Sequence, residues 1–147
     1  MAKSFTAQVE QMIANSKEAM LAVVQGSIRD MTNDMQIPVA KGGRMRVDTG
    51  FLRASARASL NGMPSGRSKK NAAEEAATGK HLGQFDTFDG QAVNAVLLDL
   101  KLGDTFSFGW VAEYALTRER YDGFRDTALQ KFQQYVNSNA DKIRGRR

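Results

Sequence analysis

The chain has 147 residues, of which 41% are hydrophobic and 25% charged, with a formal net charge of +5 and no cysteine. That length and balance fit a single domain, residues 1–147, with a core of its own. They exclude disulfides, cysteine-based metal sites and thiol chemistry, and no run of about 18 apolar residues offers a membrane span.

The opening residues, Met1 to Phe5, do not lead into an uninterrupted apolar stretch, so no secretory signal is expected and a reducing cytoplasm is compatible. From Ser4 to Gln36 the apolar residues Phe5, Val9, Met12, Ile13, Met20, Val23, Val24, Ile28, Met31 and Met35 recur in steps of three and four. Such steps line one face of an α-helix, with Ser4 as its N-cap and Pro38 ending the pattern. Gly26 is a weak point inside it, costing up to about 1 kcal/mol relative to Ala. At 1.5 Å per residue the helix is a rod of roughly 45 Å, longer than one small sheet can cover. Part of its stripe should therefore meet another helix or another subunit. Its methionines read as core filler, with an adaptable surface as the alternative.

Residues 38–47 are a glycine-rich basic loop. Asp48 and Thr49 suit an N-cap, Gly50 permits a tight backbone, and Phe51 and Leu52 anchor the next segment. This turn is expected to redirect the chain and pin it to the core. Ala54, Ala56, Ala58 and Leu60 then alternate with polar residues. Alternation points to a strand with one buried face, while the alanine content leaves a helix as the alternative. Residues 62–90 are rich in Ser, Gly, Lys, Asn and Ala, and read as a flexible loop that orders on contact with a partner.

The charge is uneven. It is −1 over residues 1–40, +6 over 41–81 and 0 over 82–147. A basic middle points to a polyanion or an acidic protein surface, or else to a solvated loop that aids solubility. Arg44, Arg46, Arg67, Lys69, Lys70 and Lys80 are the candidate contacts to a partner or to DNA. Few aromatics accompany them, so nonspecific phosphate contact is the only DNA reading supported.

Residues 92–110 read as a hairpin. Val96, Leu98, Leu100 and Leu102 alternate with Leu97, Asp99 and Lys101, and Phe106, Phe108 and Trp110 with Ser107 and Gly109. A three-residue turn, Gly103–Asp104–Thr105, would pair Leu102 with Phe106, Leu100 with Phe108 and Leu98 with Trp110 on one apolar face. Tyr114 and Leu116 should dock the next segment. Asp122 should cap a last helix over 122–143, whose stripe is Phe124, Ala128, Leu129, Phe132, Tyr135, Val136 and Ile143. The basic tail beyond it should fray. The fold class is therefore α+β. A long N-terminal helix and a C-terminal helix pack on a small antiparallel sheet that carries a long basic loop.

Val-Asp-Thr-Gly-Phe-Leu-Arg-Ala-Ser, residues 47–55, resembles the V-D-T-G-x-L-x-x-S segment of a family of small tailed-bacteriophage virion proteins. These are the tail-completion or head–tail connector (neck) proteins, also called minor tail components. In that family the segment comes after an N-terminal helix and precedes a variable loop, a hairpin, a Tyr-Ala near a Glu, and a Phe opening the last helix. The matching positions here are Tyr114, Ala115, Glu119 and Phe124, so the likeness runs from about Phe5 to Val136. It departs after Glu119, where Arg120 and Tyr121 replace a Gly-Thr-like turn.

The resemblance implies a structural protein of the virion neck or tail, assembled in the host cytoplasm. It would form a homo-oligomeric ring, commonly a hexamer, that lets DNA pass. Its neighbours would be the connector or head-closure protein and the tail tube or terminator protein. The resemblance implies no catalysis. A tail terminator ring and a nonspecific DNA-binding protein are the alternatives.

Asp48-Thr49-Gly50 also resembles the Asp-Thr-Gly of aspartic proteases. Arg46 before it and Phe51 after it depart from that pattern, and the expected helices do not suit an all-β enzyme. His81 is the sole histidine, too few for a usual zinc site. No phosphate-cradling glycine motif is present, and the carboxylates Glu113 and Glu119 read as turn residues. Catalytic residues, metal ligands and cofactors are therefore assigned to none.

Overall fold

The computed structural model describes residues 4–46, 51–64, 90–112 and 115–145. The turn residues Asp48, Thr49 and Gly50, the side chain of Phe51, the basic residues Arg67, Lys69, Lys70 and Lys80, and also His81, Glu113 and Tyr114 lie outside them. The architecture is α+β, with a long N-terminal helix, a two-stranded antiparallel sheet and C-terminal helices.

Helix α1 spans Phe5–Met35. It begins where the Ser4 hydroxyl accepts the Ala7 N–H at 3.1 Å, which satisfies one of the free donors of the first turn. It ends at Gln36, two residues before Pro38. The loop behind it is tighter than its glycine and lysine content suggests. A 3₁₀ turn, Val39–Lys41, leads into Gly42 at φ +89°, and Val39 N–H reaches back to the Met45 carbonyl at 2.9 Å. Gly43 passes so near Ile37 that a Cβ there would stand 1.9 Å from the Ile37 carbonyl oxygen. Glycine is thus required by close backbone approach. The loop places Met45 fully inside the core.

Helix α2 is short, Phe51–Ala54, and leads into β1, Ala56–Leu60. The alternating alanines do form a strand. Its partner is β2, Phe106–Trp110, in antiparallel register: Ala56 faces Trp110, Ala58 faces Phe108 and Leu60 faces Phe106.

The expected hairpin over 92–110 is therefore corrected. Helix α3, Gly90–Leu98, occupies its first half. Val93, Leu97 and Leu100, at helical spacing, are buried with Ile28, whereas Leu98, which the hairpin needed inside, is 79% exposed. A leucine-rich run satisfies both periods on paper. The packing of α3 on α1 and β1 selects the helical one. Gln25 of α1 strengthens that choice by donating at 2.7 Å to the Leu97 carbonyl, which also accepts the Leu100 N–H at 3.1 Å as α3 ends.

The Lys101–Asp104 turn thus links a helix to a strand. Thr105 N–H donates to the Asn61 side chain at 3.0 Å, and Asn61 N–H to the Thr105 carbonyl at 2.7 Å, which clamps the open end of the ribbon. Asp104 accepts from Lys101 N–H at 2.9 Å and from the Asn61 amide at 3.2 Å. These bonds, the backbone one first, hold its carboxyl below the ordinary 3.8. A carboxyl depressed on folding adds stability that is complete above its unfolded pKa and is lost as pH falls through its folded pKa. The clamp is accordingly expected to loosen below about pH 4. Amide NMR shifts of Asn61, Lys101 and Thr105 should move together there, and shifts that stay constant from neutral to strongly acidic pH would remove Asp104 from the account.

Three helices follow β2: α4, Ala115–Asp122; α5, Phe124–Gln130; and α6, Phe132–Arg144, the last two standing where a single helix over 122–143 was expected. Gly123, at φ +66°, breaks the first from the second. Asp122 does not cap the last helix. It ends α4, where Arg118 grips it at 2.8 and 2.9 Å. Leu116, expected to dock this segment, is exposed.

α6 packs antiparallel along the second half of α1. Steps of four on each helix set one rung against the next: Lys131 and Tyr135 at Asp34, Asn139 at Asp30, and Asn139 again at Gly26. Tyr135 donates its hydroxyl proton to Asp34. Burial first, then that bond, push its pKa well above the ordinary 10.0. A Cβ on Gly26 would stand 2.3 Å from Asn139 Oδ1. Gly26 is therefore the point where the two helices touch rather than a flaw in α1.

Gly26→Ala should gain up to about 1 kcal/mol of helix propensity yet lose about 2–3 kcal/mol to overpacking, for a net loss of about 1–2 kcal/mol. In an Asn139→Ala background the same change should become neutral or stabilising. Urea titrations of the four proteins measure the coupling, and equal effects in both backgrounds would rule out the contact.

Candidate interaction surface

Two cores flank the ribbon. One holds Ile28, Val93, Leu97 and Leu100, with Leu60, Phe106 and Phe108 against them. The other holds Met45, Leu52, Ala112 and Phe124, with Trp110 against them. Trp110 stands edge-on to Phe108 and to Phe124, at ring centroid distances of 5.2 and 4.8 Å.

Between α1, α2 and β2 lies a set of buried and part-buried hydrogen bonds. The Gln36 side chain donates to the Arg53 carbonyl at 2.8 Å and accepts the Trp110 indole N–H at 2.6 Å. Arg53 Nε–H returns to the Gln36 carbonyl at 2.7 Å. The Ser55 hydroxyl donates to the Leu52 carbonyl at 2.7 Å and accepts Ala112 N–H at 3.3 Å. Leu52, Arg53 and Ser55 thus tie the end of α1 to the end of β2. Of the expected turn residues, Leu52 alone has a described side chain, and it is buried.

Sequence reasoning missed the burial of Gln36, Met45 and Glu119, the last of which reads as a turn residue in the sequence. Met45 sits in a basic, glycine-rich run that masks it. Gln36 and Glu119 are polar, and only their neighbours reveal that they are inside. The Glu119 carboxylate accepts Arg125 N–H at 2.8 Å and Asp126 N–H at 3.0 Å, so it caps α5 from the preceding helix.

The basic candidates separate. Arg44 and Arg46 are exposed on the ordered loop, and Arg46 Nε lies 3.9 Å from Asp122, which takes up part of its charge. Among the described residues no group of three or more His, Cys, Asp or Glu side chains is placed to hold a metal ion. Nor is any helix there long and apolar enough to cross a membrane.

The largest unassigned feature is the first half of α1. α6 covers α1 only from about Ala19 onward. From Phe5 to Glu18 every residue except Ala7 is exposed. That is an exposed stretch of helix of roughly 20 Å, and it carries Phe5 at 81% and Met12 at 69% exposure, with Val9 and Ile13 beside them. Met12 and Met20 are therefore not core filler, whereas Met35 is. Where the rod meets α6, Ala19, Met20, Val23, Ala140 and Ile143 line an apolar groove. Scattered exposed apolar residues are ordinary, but an aligned stripe marks a surface that binds.

No family model, curated protein or solved structure matches this chain.

Proposed function

We propose that this chain is a structural protein of a tailed-phage particle, acting at the head–tail junction as one subunit of a ring that joins the tail tube to the connector and lets DNA pass. The observation that carries the reading is the uncovered half of α1. It is an exposed length of helix with an apolar stripe, the kind of surface a protein needs when it works by contact with other subunits. The resemblance of residues 47–55 to the neck proteins supplies the particle. A closed ring needs a heterologous interface, one patch on each subunit meeting a different patch on the next.

The test is electron microscopy of lysates from phage carrying an early stop codon in this gene. Separate filled heads and finished tails, joined again when purified protein is added, are the expected result. Heads bearing overlong tails would move the protein to the tail terminator ring. Intact infectious particles would sink the virion reading.

A further inference from the structure

The exposed stripe on α1 is the straight continuation of the stripe that α6 already covers. Written as heptads, Val9, Ser16, Val23 and Asp30 recur every seven residues, and so do Phe5, Met12, Ala19 and Gly26. The α1–α6 seam uses the later members of this set and leaves the earlier ones bare. A helix laid along the bare part would extend an interface the fold has already built.

The charges name the occupant. Within Phe5–Glu18 the charged residues are Glu10, Lys17 and Glu18. At 100° per residue Glu18 lies half a turn from Val9, on the far side from the stripe, while Glu10 and Lys17 share one flank of it. In an antiparallel pair of identical helices, like flanks face each other across the two-fold axis. Glu10 of each copy then meets Lys17 of the other, and the pairing occurs twice. In a parallel pair the charged flank would face Gln8 and Asn15 instead.

The knob and the hole agree with this arrangement. A two-fold axis that pairs Glu10 with Lys17 crosses the helix between Ile13 and Ala14. An axis that sets Phe5 against Val23 crosses it at Ala14. The two requirements coincide within about 1 Å of helix rise. Phe5, the most exposed large apolar residue of the rod, is thereby delivered to the apolar groove of Ala19, Met20, Val23, Ala140 and Ile143 in the other copy.

We infer that a second copy of this chain covers the free half of α1, as an antiparallel two-fold pair in which Phe5 of each copy fills the groove at the end of α6 in the other. The pair is self-complementary and closes at two, so it keeps the rod out of water without starting a polymer. It concerns the free chain and stands apart from the virion reading, because no phage component takes part; for the same rod to enter the heterologous contact of a ring, the pair would have to open.

Sedimentation equilibrium of the full chain, up to on the order of 100 micromolar because the seam is small, should show a monomer–dimer equilibrium. Phe5→Ala should weaken it about tenfold or more. Glu10→Lys alone and Lys17→Glu alone should each weaken it about tenfold, since each turns two attractions into repulsions, and the two together should restore it. The chain has no cysteine, so Glu10→Cys with Lys17→Cys should give a disulfide-linked dimer on oxidation, and neither alone should. A monomer at every concentration, a charge swap that fails to restore pairing, or ready cross-linking through Val9→Cys alone, which marks a parallel pair, would each overturn the inference. These readouts use the purified chain, so they fail separately from the test of the virion role.

Discussion

Gln36→Ala is expected to lower the free energy of unfolding by about 3–4 kcal/mol, which is roughly 6–16 °C in melting temperature for a chain of this length. The side chain is 1% exposed and serves as donor and acceptor at once. Its removal takes one hydrogen bond from the Trp110 indole N–H and one from the Arg53 carbonyl at a part-buried junction, at about 1–3 kcal/mol for each group left unsatisfied. It also opens a hole where three elements meet. Gln36→Met separates the two terms, because it restores volume without hydrogen bonds, and it should recover about 1 kcal/mol. Gln36→Glu keeps the acceptor for Trp110 but sets a carboxylate against the Arg53 carbonyl, so it should do no better than Met. Guanidinium titrations monitored by the fluorescence of Trp110, the sole tryptophan, report on this junction directly. A loss below about 1 kcal/mol for the alanine variant would show that the network is replaceable by water.

Glu119→Ala is expected to cost about 3 kcal/mol. Gly123, the residue before α5, has no side chain to serve as an N-cap, so the carboxylate from α4 performs that task for two N–H groups. A negative group at a helix N-terminus also opposes the positive end of the helix dipole. Glu119 is 7% exposed, so solvent does little to replace it. Glu119→Gln keeps one good acceptor and should lose about 1 kcal/mol. Gly123→Ser offers an independent check: if its hydroxyl could cap α5, the Glu119→Ala loss would shrink in that background, offset by the strain of a non-glycine residue at positive φ. Equal stability of the wild type and Glu119→Ala in urea would mean that the α4–α5 corner is held by Phe124 and Ala128 alone.

Both residues explain why the candidate site was only partly legible. The strand at Ala56–Leu60, the N-cap at Ser4 and the long first helix arise from local patterns. So does the inference that part of α1 is left over, since about 45 Å of rod cannot be covered by one short ribbon. Gln36 and Glu119 escaped because a polar residue has no periodicity that marks it as buried. Only the arrival of Trp110 from 74 positions away, or of the α5 N-terminus across a sharp corner, gives either a partner.

The chain by itself determined the class of the molecule, the extent of α1 and the apolar stripe along it, because each rests on neighbours a few positions apart. Tertiary structure decided the rest. It made residues 90–98 a helix, since Val93 and Leu97 bury against α1 only in that form. It gave β2 the strand β1 as partner, and it turned Gly26 from a weak point into the contact that admits α6. Local spacing offers a leucine-rich run two periods of nearly equal merit, and the choice falls to whichever face another element is present to cover.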